Sequence, residues 1–411
     1  MTALERFGAW IAEAAIPTEG VALHLVDAVA AWIAGADTPE GEALRRLEDP
    51  VARHCAWARL SEIDDIHLAS ATTPGGVIVP AALTLAAECG ADGAALARAI
   101  AAGYEAMTRL GRAIDGAHAL YRGVWPTCFA APFGVAAASA SLLGLDAARS
   151  AHALGIALGL ASPGAGRSAR WLALGNAAAS GVRAARWAQS GFTADLGLME
   201  GAFFSVYGIR ADASALTSGL DGPSALAQTA FKPWCAARQT MAAAQAWTEL
   251  AAEGFADDGA ESIRVGVPPP CAKMIDHGVV PGERASFLTS LPYQLALAAL
   301  EPGARFDVRQ NPAEIPPAVK AFMTRVTIEP DAELLAQYPE AWPARVDVGG
   351  VRRVVTRVPG EPQRPWTERD VLAKFERYAD GDIARMALGV ADGRDTPVAL
   401  LARIVQSVPV S

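Results

Sequence analysis

Small and apolar residues recur at three- and four-residue spacing through most of the first 250 positions. In AALTLAAECGADGAALARAIAAGYEAMTRLGRAI, residues 81–114, this is the spacing of a helix face, interrupted at Gly90, and it predicts two helices joined by a short turn. GVAAASASLLGL followed by DAARSAHALGIALGLA predicts another pair, with Asp146 capping the second helix. GNAAASGVRAARWAQSGF, residues 175–192, predicts a further helix ended by Gly191. Ala and Gly face each other often in these segments. Small side chains let helix axes approach closely, so a compact helical bundle with little β content is expected.

The pattern changes after residue 254. ESIRVGVPP, AFMTRVTIEPD and ARVDVGGVRRVVTRVPG bring alternating β-branched residues, with Gly349-Gly350 as a hairpin turn. PYQLALAALEPG, residues 292–303, reads as a helix between them. TERDVLAKFERYAD, residues 367–380, opens with Thr367 and Asp370 in capping-box spacing, and VALLARIVQSV closes the chain as a short amphipathic helix. The expectation is a mainly α fold: an all-helical domain of residues 1–254 and 367–411, and a smaller α+β lid domain of residues 255–366. The Pro-rich GEPQRPW, residues 360–366, reads as the connector.

Composition narrows the function classes. The chain has 411 residues, 52% hydrophobic, with a net charge of −9, so it can bury a large core and is not disordered. The acidic balance argues against a nucleic-acid binder but leaves room for a local cationic pocket around an anionic small molecule. Cys55, Cys89, Cys128, Cys235 and Cys271 are widely spaced with no CxxC pair, which suits buried thiols in a reducing compartment. The N-terminus lacks the cationic start of a signal peptide. The most apolar stretch, residues 129–145, contains Pro132 and is shorter than the ~20 residues of a bilayer span. A cytoplasmic protein without membrane association is expected.

No phosphate loop, dinucleotide fingerprint, GxSxG elbow or HExxH helix is present, so chemistry is sought in five local clusters. SEIDDIHLASATTPGG, residues 61–76, crowds Glu62, Asp64, Asp65 and His67 before a Thr/Gly/Pro loop. Carboxylates beside an imidazole can tune a general base, although a capped, solvated helix end would look the same, and no metal-ligand spacing is visible. HALYRGVWPTCFAAPFG, residues 118–134, places His118, Tyr121, Arg122 and Trp125 before a buried helix, as pocket walls or as core plugs. SPGAGRSARWLALGNAAASG, residues 162–181, sets Arg167 and Arg170 around a Gly-rich turn at a helix start, an arrangement suited to a carboxylate. FKPWCAARQTMAAAQAW, residues 231–247, holds Lys232, Cys235 and Arg238 at a Pro-marked helix start. Lysine there can serve as acid, base or anchor, whereas Cys235 has no neighbouring histidine to activate it. LTSLPYQLALA, residues 288–298, offers Tyr293 just inside a helix, where a core role is equally natural.

The order of these segments is informative. DD-x-H before a Pro/Gly loop and VxxPAAL, then GVWPTxFAAPFGxAAAxAxLLGLD, GNAAAxGVxAA, LMEGAFFSVYG, FKPWCAARQT and SLPYQLA resembles the MmgE/PrpD superfamily, through roughly residues 1–300 and more weakly to the end. That family includes 2-methylcitrate dehydratase, cis-aconitate decarboxylase and iminodisuccinate epimerase. The resemblance implies a large helical domain with an α+β lid, usually a homodimer, an active site between the two domains, and no cofactor. It also implies departures. Thr73-Pro74 and Trp125-Pro126 stand where the family has His-Pro, Arg170 stands for a lysine, and Ala237 or Arg238 stands for a histidine. Lys232 and Tyr293 keep the family's lysine and tyrosine, and Glu62 begins the acidic run where the decarboxylases have aspartate.

The family's reactions share a carbanion formed beside a carboxylate, whose developing charge a cationic clamp offsets. Here the clamp would be Arg122, Arg167, Arg170, Lys232 and Arg238. With both loop histidines absent, the base would come from Lys232 first, its pKa lowered by neighbouring arginines, then from His67, Tyr121, Tyr293 or the Asp64/Asp65 pair. Trp125 would make the pocket smaller and more apolar. That suits a mono- or dicarboxylate with an apolar arm rather than a tricarboxylate. A dehydratase-like lyase is the leading expectation. An isomerase, epimerase or decarboxylase using the same carbanion follows, and a non-catalytic binder of an acidic metabolite is the alternative of another class.

Overall fold

A computed structural model describes residues 1–164, 169–257, 259 and 262–408. They form two compact units, one of Met1–Phe231 with the chain from Trp366 onward, the other of Lys232–Pro365.

Among its described residues the first unit is helical, apart from isolated bridges pairing Ile66 with Ala230 and His67 with Thr72. Its centre is the helix Pro126–Leu142, buried on every side from Pro126 to Ala140, as a helix without a polar face must be. Against it pack the helices Gly93–Ala113 and Arg170–Gln189, and the latter also packs on Pro50–Leu60. The Ala/Gly pattern explains how closely these helices pass. A Cβ built on Gly175 would stand 2.2 Å from the carbonyl oxygen of Ala52, so only a residue with no side chain fits there. Local signals set the boundaries. Gly90, at φ +66°, closes the helix Gly75–Cys89, and the Asp146 side chain accepts from Arg149 N at 2.8 Å. The Thr367/Asp370 capping box opens Glu368–Phe375. From that helix Lys374 reaches Asp27 Oδ1 on the helix Val21–Ala36, at 2.5 Å. Burial drives the Asp27 carboxyl above the usual carboxylate range while Lys374 pulls it back down, so the pair ties the end of the chain to its beginning.

The second unit is an α+β unit built on four strands in the order β2-β1-β3-β4. β1 (Ile263–Val267) runs parallel to β2 (Val326–Pro330) and antiparallel to β3 (Ala344–Val348), which turns through Gly349 and Gly350 into β4 (Val351–Val355). Both turn glycines have positive φ, as a two-residue hairpin turn requires. Along β3, Ala344, Val346 and Val348 are buried and their neighbours are not. The helix Arg238–Ala252 packs on β3, β4 and the helix Leu291–Leu300. There Trp247 meets Phe322 and Phe255 edge-on, at centroid distances of 5.2 and 5.9 Å. This helix shares the Ala-rich composition of the first unit and was grouped with it in the sequence. It falls in the second because its apolar face covers the sheet, so the first boundary lies at 231/232 rather than 254/255.

Candidate functional site

The helix Pro50–Leu60 ends at a loop, residues 61–74, that carries the acidic run. Arg59, on the last turn and buried, donates from Nη2 to Glu62 Oε1 at 2.8 Å and from Nη1 to Asp64 Oδ1 at 2.9 Å. Glu62 holds φ +55°, a left-handed conformation that costs a non-glycine residue about 1 kcal/mol and persists where the surroundings enforce it. Asp64 lies so close to the start of the helix Gly75–Cys89 that a Cβ on Gly76 would be 2.5 Å from its Oδ2. Asp65 turns elsewhere. Its carboxylate accepts from Gly75 N at 2.7 Å and from the Tyr104 hydroxyl at 2.6 Å, and pairs with His24 Nδ1 at 2.7 Å. Three donors hold Asp65 as a frame for the loop.

Two further helix N-termini meet this one. Thr73 donates its backbone N–H to Thr127 Oγ1 at 3.2 Å, with the two hydroxyls 3.3 Å apart, which joins the loop to the first turn of Pro126–Leu142. Trp125 precedes that helix, with Pro126 in the first helical position, where a missing N–H costs nothing. Its indole face carries the guanidinium of Arg170, Cζ 3.8 Å from the ring centroid, and Arg59 Cζ lies 5.9 Å from the same centroid. Arg170 opens the helix Arg170–Gln189, so three positive helix ends and two guanidinium groups share this region. Burial pulls Arg170 down to about 10; Glu62 opposes that shift and Arg59 adds to it. The guanidinium stays charged at neutral pH. Its donors make no hydrogen bond with a side chain or carbonyl among the described residues. Cys128, one turn into the central helix, is raised to about 11 by burial and stays a neutral thiol.

His67 faces another cavity, of about 410 Å³, whose lining shares no residue with the Trp125 region. Its Nδ1 lies 2.9 Å from Ser70 Oγ and accepts from Ser70 N at 3.3 Å, which leaves the ring proton on Nε2. Burial, and then Arg112, pulls the imidazole down to about 4.

The remaining sequence candidates are spread over both units. Tyr121 and Arg122 belong to the short 3-10 turn Leu120–Arg122, the tyrosine half-buried and the arginine exposed. Arg167 lies outside the described residues. In the second unit, Lys232 is the first residue and buried, and Arg238 opens its first helix with its guanidinium on Glu361, both almost fully enclosed. Tyr293 lies on Leu291–Leu300, edge-on to Phe287 at 5.2 Å, its hydroxyl pushed up to about 12 by burial. Arg59 and Thr127 were not singled out in the sequence. The signal for Arg59 was present in ARLSEIDD, a basic residue one helical turn before the acidic run. Among the described residues no three His, Cys, Asp or Glu side chains gather as metal ligands do.

Residues 53–210 match the family model of the MmgE/PrpD N-terminal domain, and residues 234–387 match that of the MmgE/PrpD C-terminal domain. No curated protein matches the chain.

Proposed function

The chain belongs to the MmgE/PrpD family, and from that premise we propose that it is a cofactor-independent, dehydratase-like lyase acting on a small carboxylic acid. The observation that carries the reading is the Arg170 guanidinium stacked on Trp125 beside three helix N-termini. A planar fork with one face on an indole and no hydrogen-bond partner among the described residues suits a carboxylate, and the helix ends add fixed positive potential. The same groups oppose the charge that develops on the carboxylate as an α-proton leaves, so they bind the enolate more tightly than the acid. In the dehydration the Cα–H bond breaks, its electron pair forms the C=C bond, and the β-hydroxyl leaves with a proton as water.

Lys232 is the group we assign to proton transfer. His67, held near 4, is a weak base and lines a different cavity, and the Tyr293 hydroxyl, held near 12, is protonated at neutral pH. Asp64 is occupied by Arg59. Trp125 supplies an apolar wall, which favours a mono- or dicarboxylate with an apolar arm.

The test is a panel of short 3-hydroxy acids incubated with the purified protein in D2O. Loss of water to an α,β-unsaturated acid supports the lyase. Deuterium entering the α-carbon without net change would replace it with an isomerase or epimerase, release of CO2 with a decarboxylase, and a melting shift without turnover with a binder. Arg170→Lys should lower kcat/KM about 100-fold, as the loss of one preorganised donor does elsewhere. Lys232→Ala should abolish turnover, and near-normal rates in that variant would remove Lys232 from the mechanism.

A further inference from the structure

The cavity that His67 faces is lined by residues of the first unit and has no part in the reaction proposed above. Its walls are the helix Gly93–Ala113, through Glu105, Thr108, Arg109 and Arg112, and the segment 215–228. The charges are apportioned in a definite way. Glu105 Oε2 accepts from Arg109 Nε at 2.7 Å and Oε1 accepts from Ala225 N, also at 2.7 Å. Arg109 donates its remaining groups to the carbonyls of Ser218 and Gly219, at 2.7 and 3.1 Å. That ion pair is therefore consumed in holding the segment to the helix. The Arg112 side chain, one turn further on, makes no hydrogen bond with a described residue and is exposed at the cavity. His67 is 3% exposed; its Nδ1 is occupied by Ser70, and its Nε2, which bears the proton, has no partner among the described residues. One guanidinium and one neutral N–H donor thus line a cavity of about 410 Å³, the size of small-metabolite sites, whose one lining carboxylate, Glu105, is already paired with Arg109.

We propose that this cavity is a second ligand site, for a small monocarboxylate whose oxygens take the Arg112 guanidinium and the His67 Nε2–H. One net positive charge suits a monoanion better than a phosphate dianion. The site also adjoins the loop of residues 61–74 through a rigid path. His67 N donates to Thr72 O at 2.9 Å, Ser70 Oγ lies 2.7 Å from Thr72 Oγ1, and the next residue, Thr73, is bonded to Thr127. A ligand against His67 therefore bears on the loop that carries Glu62 and Asp64.

The test is calorimetric titration of propionate and butyrate, with inorganic phosphate as the comparison anion, into the wild-type protein, Arg170→Ala and Arg112→Ala. Arg170→Ala should retain one saturable carboxylate site. Adding Arg112→Ala to that variant should weaken it by about tenfold or more, the usual effect of losing a charged hydrogen-bond partner. His67→Gln, which keeps a donor, should weaken it less than His67→Leu. The C2–H proton signal of His67, assigned through the His67→Gln spectrum, should move on titration. Unchanged binding in the double variant overturns the proposal, as does loss of all saturable carboxylate binding in Arg170→Ala, and tighter binding of phosphate than of either carboxylate overturns the ligand assignment. None of these outcomes depends on turnover, so failure of the proposed reaction and failure of this site are separable.

Discussion

Gly175→Ala tests the packing on which the placement of Arg170 depends. The two residues share the helix Arg170–Gln189, which passes the helix Pro50–Leu60 so closely that the new Cβ would lie 2.2 Å from Ala52 O, 3.0 Å from its carbonyl carbon and 3.2 Å from the Ala56 Cβ. The first two neighbours are backbone, so no rotamer change relieves the clash and the helices must separate by roughly 1 Å, the shortfall from ordinary contact. Overpacking of this kind costs about 1–3 kcal/mol, and a backbone neighbour puts the site at the upper end. Replacing a mid-helix glycine by alanine returns about 1 kcal/mol through helix propensity, which leaves a net loss of about 2 kcal/mol. Gly159→Ala is the control. It ends the helix Ala147–Gly159 with nothing within 4 Å of its Cβ, so only the propensity gain applies. Urea unfolding followed by helical circular dichroism reads both. The expected result is a lower midpoint for Gly175→Ala, an unchanged or higher one for Gly159→Ala, and a loss of kcat/KM in the first variant as Arg170 moves off Trp125. A Gly175→Ala protein as stable as the wild type would refute the close approach and the registry of Arg170 derived from it.

Stability should fall as pH drops from 6.5 towards 4. Burial holds His67 at about 4 and His54 at about 3, against 6.5 for a free imidazole, so in that window the unfolded chain binds protons that the folded one refuses, at about 1.4 kcal/mol per pH unit per histidine. His54→Gln, which can still donate to Thr84 Oγ1, should flatten the slope of unfolding free energy against pH, and an unaltered slope would exclude His54 as a cause. Of the five cysteines only Cys89 is exposed, so a disulfide reagent should modify one thiol quickly in the native protein and none in Cys89→Ser. Two fast thiols in the wild type would contradict the burial of the other four.

What was legible in the sequence was local. Gly90, Asp146, the Thr367/Asp370 box and Gly349-Gly350 each set a boundary through turn or cap chemistry that needs only a few neighbouring residues, and each stands where that chemistry puts it. Composition groups the helix Arg238–Ala252 with the first unit while its packing groups it with the second, because composition does not say what a helix covers, and its partners β3 and β4 lie about a hundred residues further on in the chain. The parallel pairing of β1 with β2 is non-local in the same way. The acidic run shows a different limit. Residues 62–67 are crowded in sequence, but an extended or bridged backbone sends successive side chains to different sides. Glu62 and Asp64 meet Arg59, Asp65 meets His24 and Tyr104, and His67 turns to the cavity beside Arg112. One motif thus supplies three environments, and its density of titratable groups overstates what any one of them contains.

That division also decides what the carboxylates can do. To accept a proton from a substrate, Asp65 would have to shed the Gly75 N–H, the Tyr104 hydroxyl and His24, and Asp64 would have to release Arg59. Each of those bonds would have to break first, leaving a buried donor without its partner. Their geometry does something else. Asp65 caps the helix Gly75–Cys89 at Gly75 N, and Asp64 and Glu62 fix Arg59 on the side of Trp125. Arg59 faces two carboxylates that together outweigh its charge, so in the proposed reaction the charge favouring an incoming acid is that of Arg170, on which Glu62 also acts, and of the helix ends. Under the proposed function Trp125 therefore sets the kind of site and not only its proton inventory: where an imidazole could move a proton, the indole holds the Arg170 guanidinium against its face.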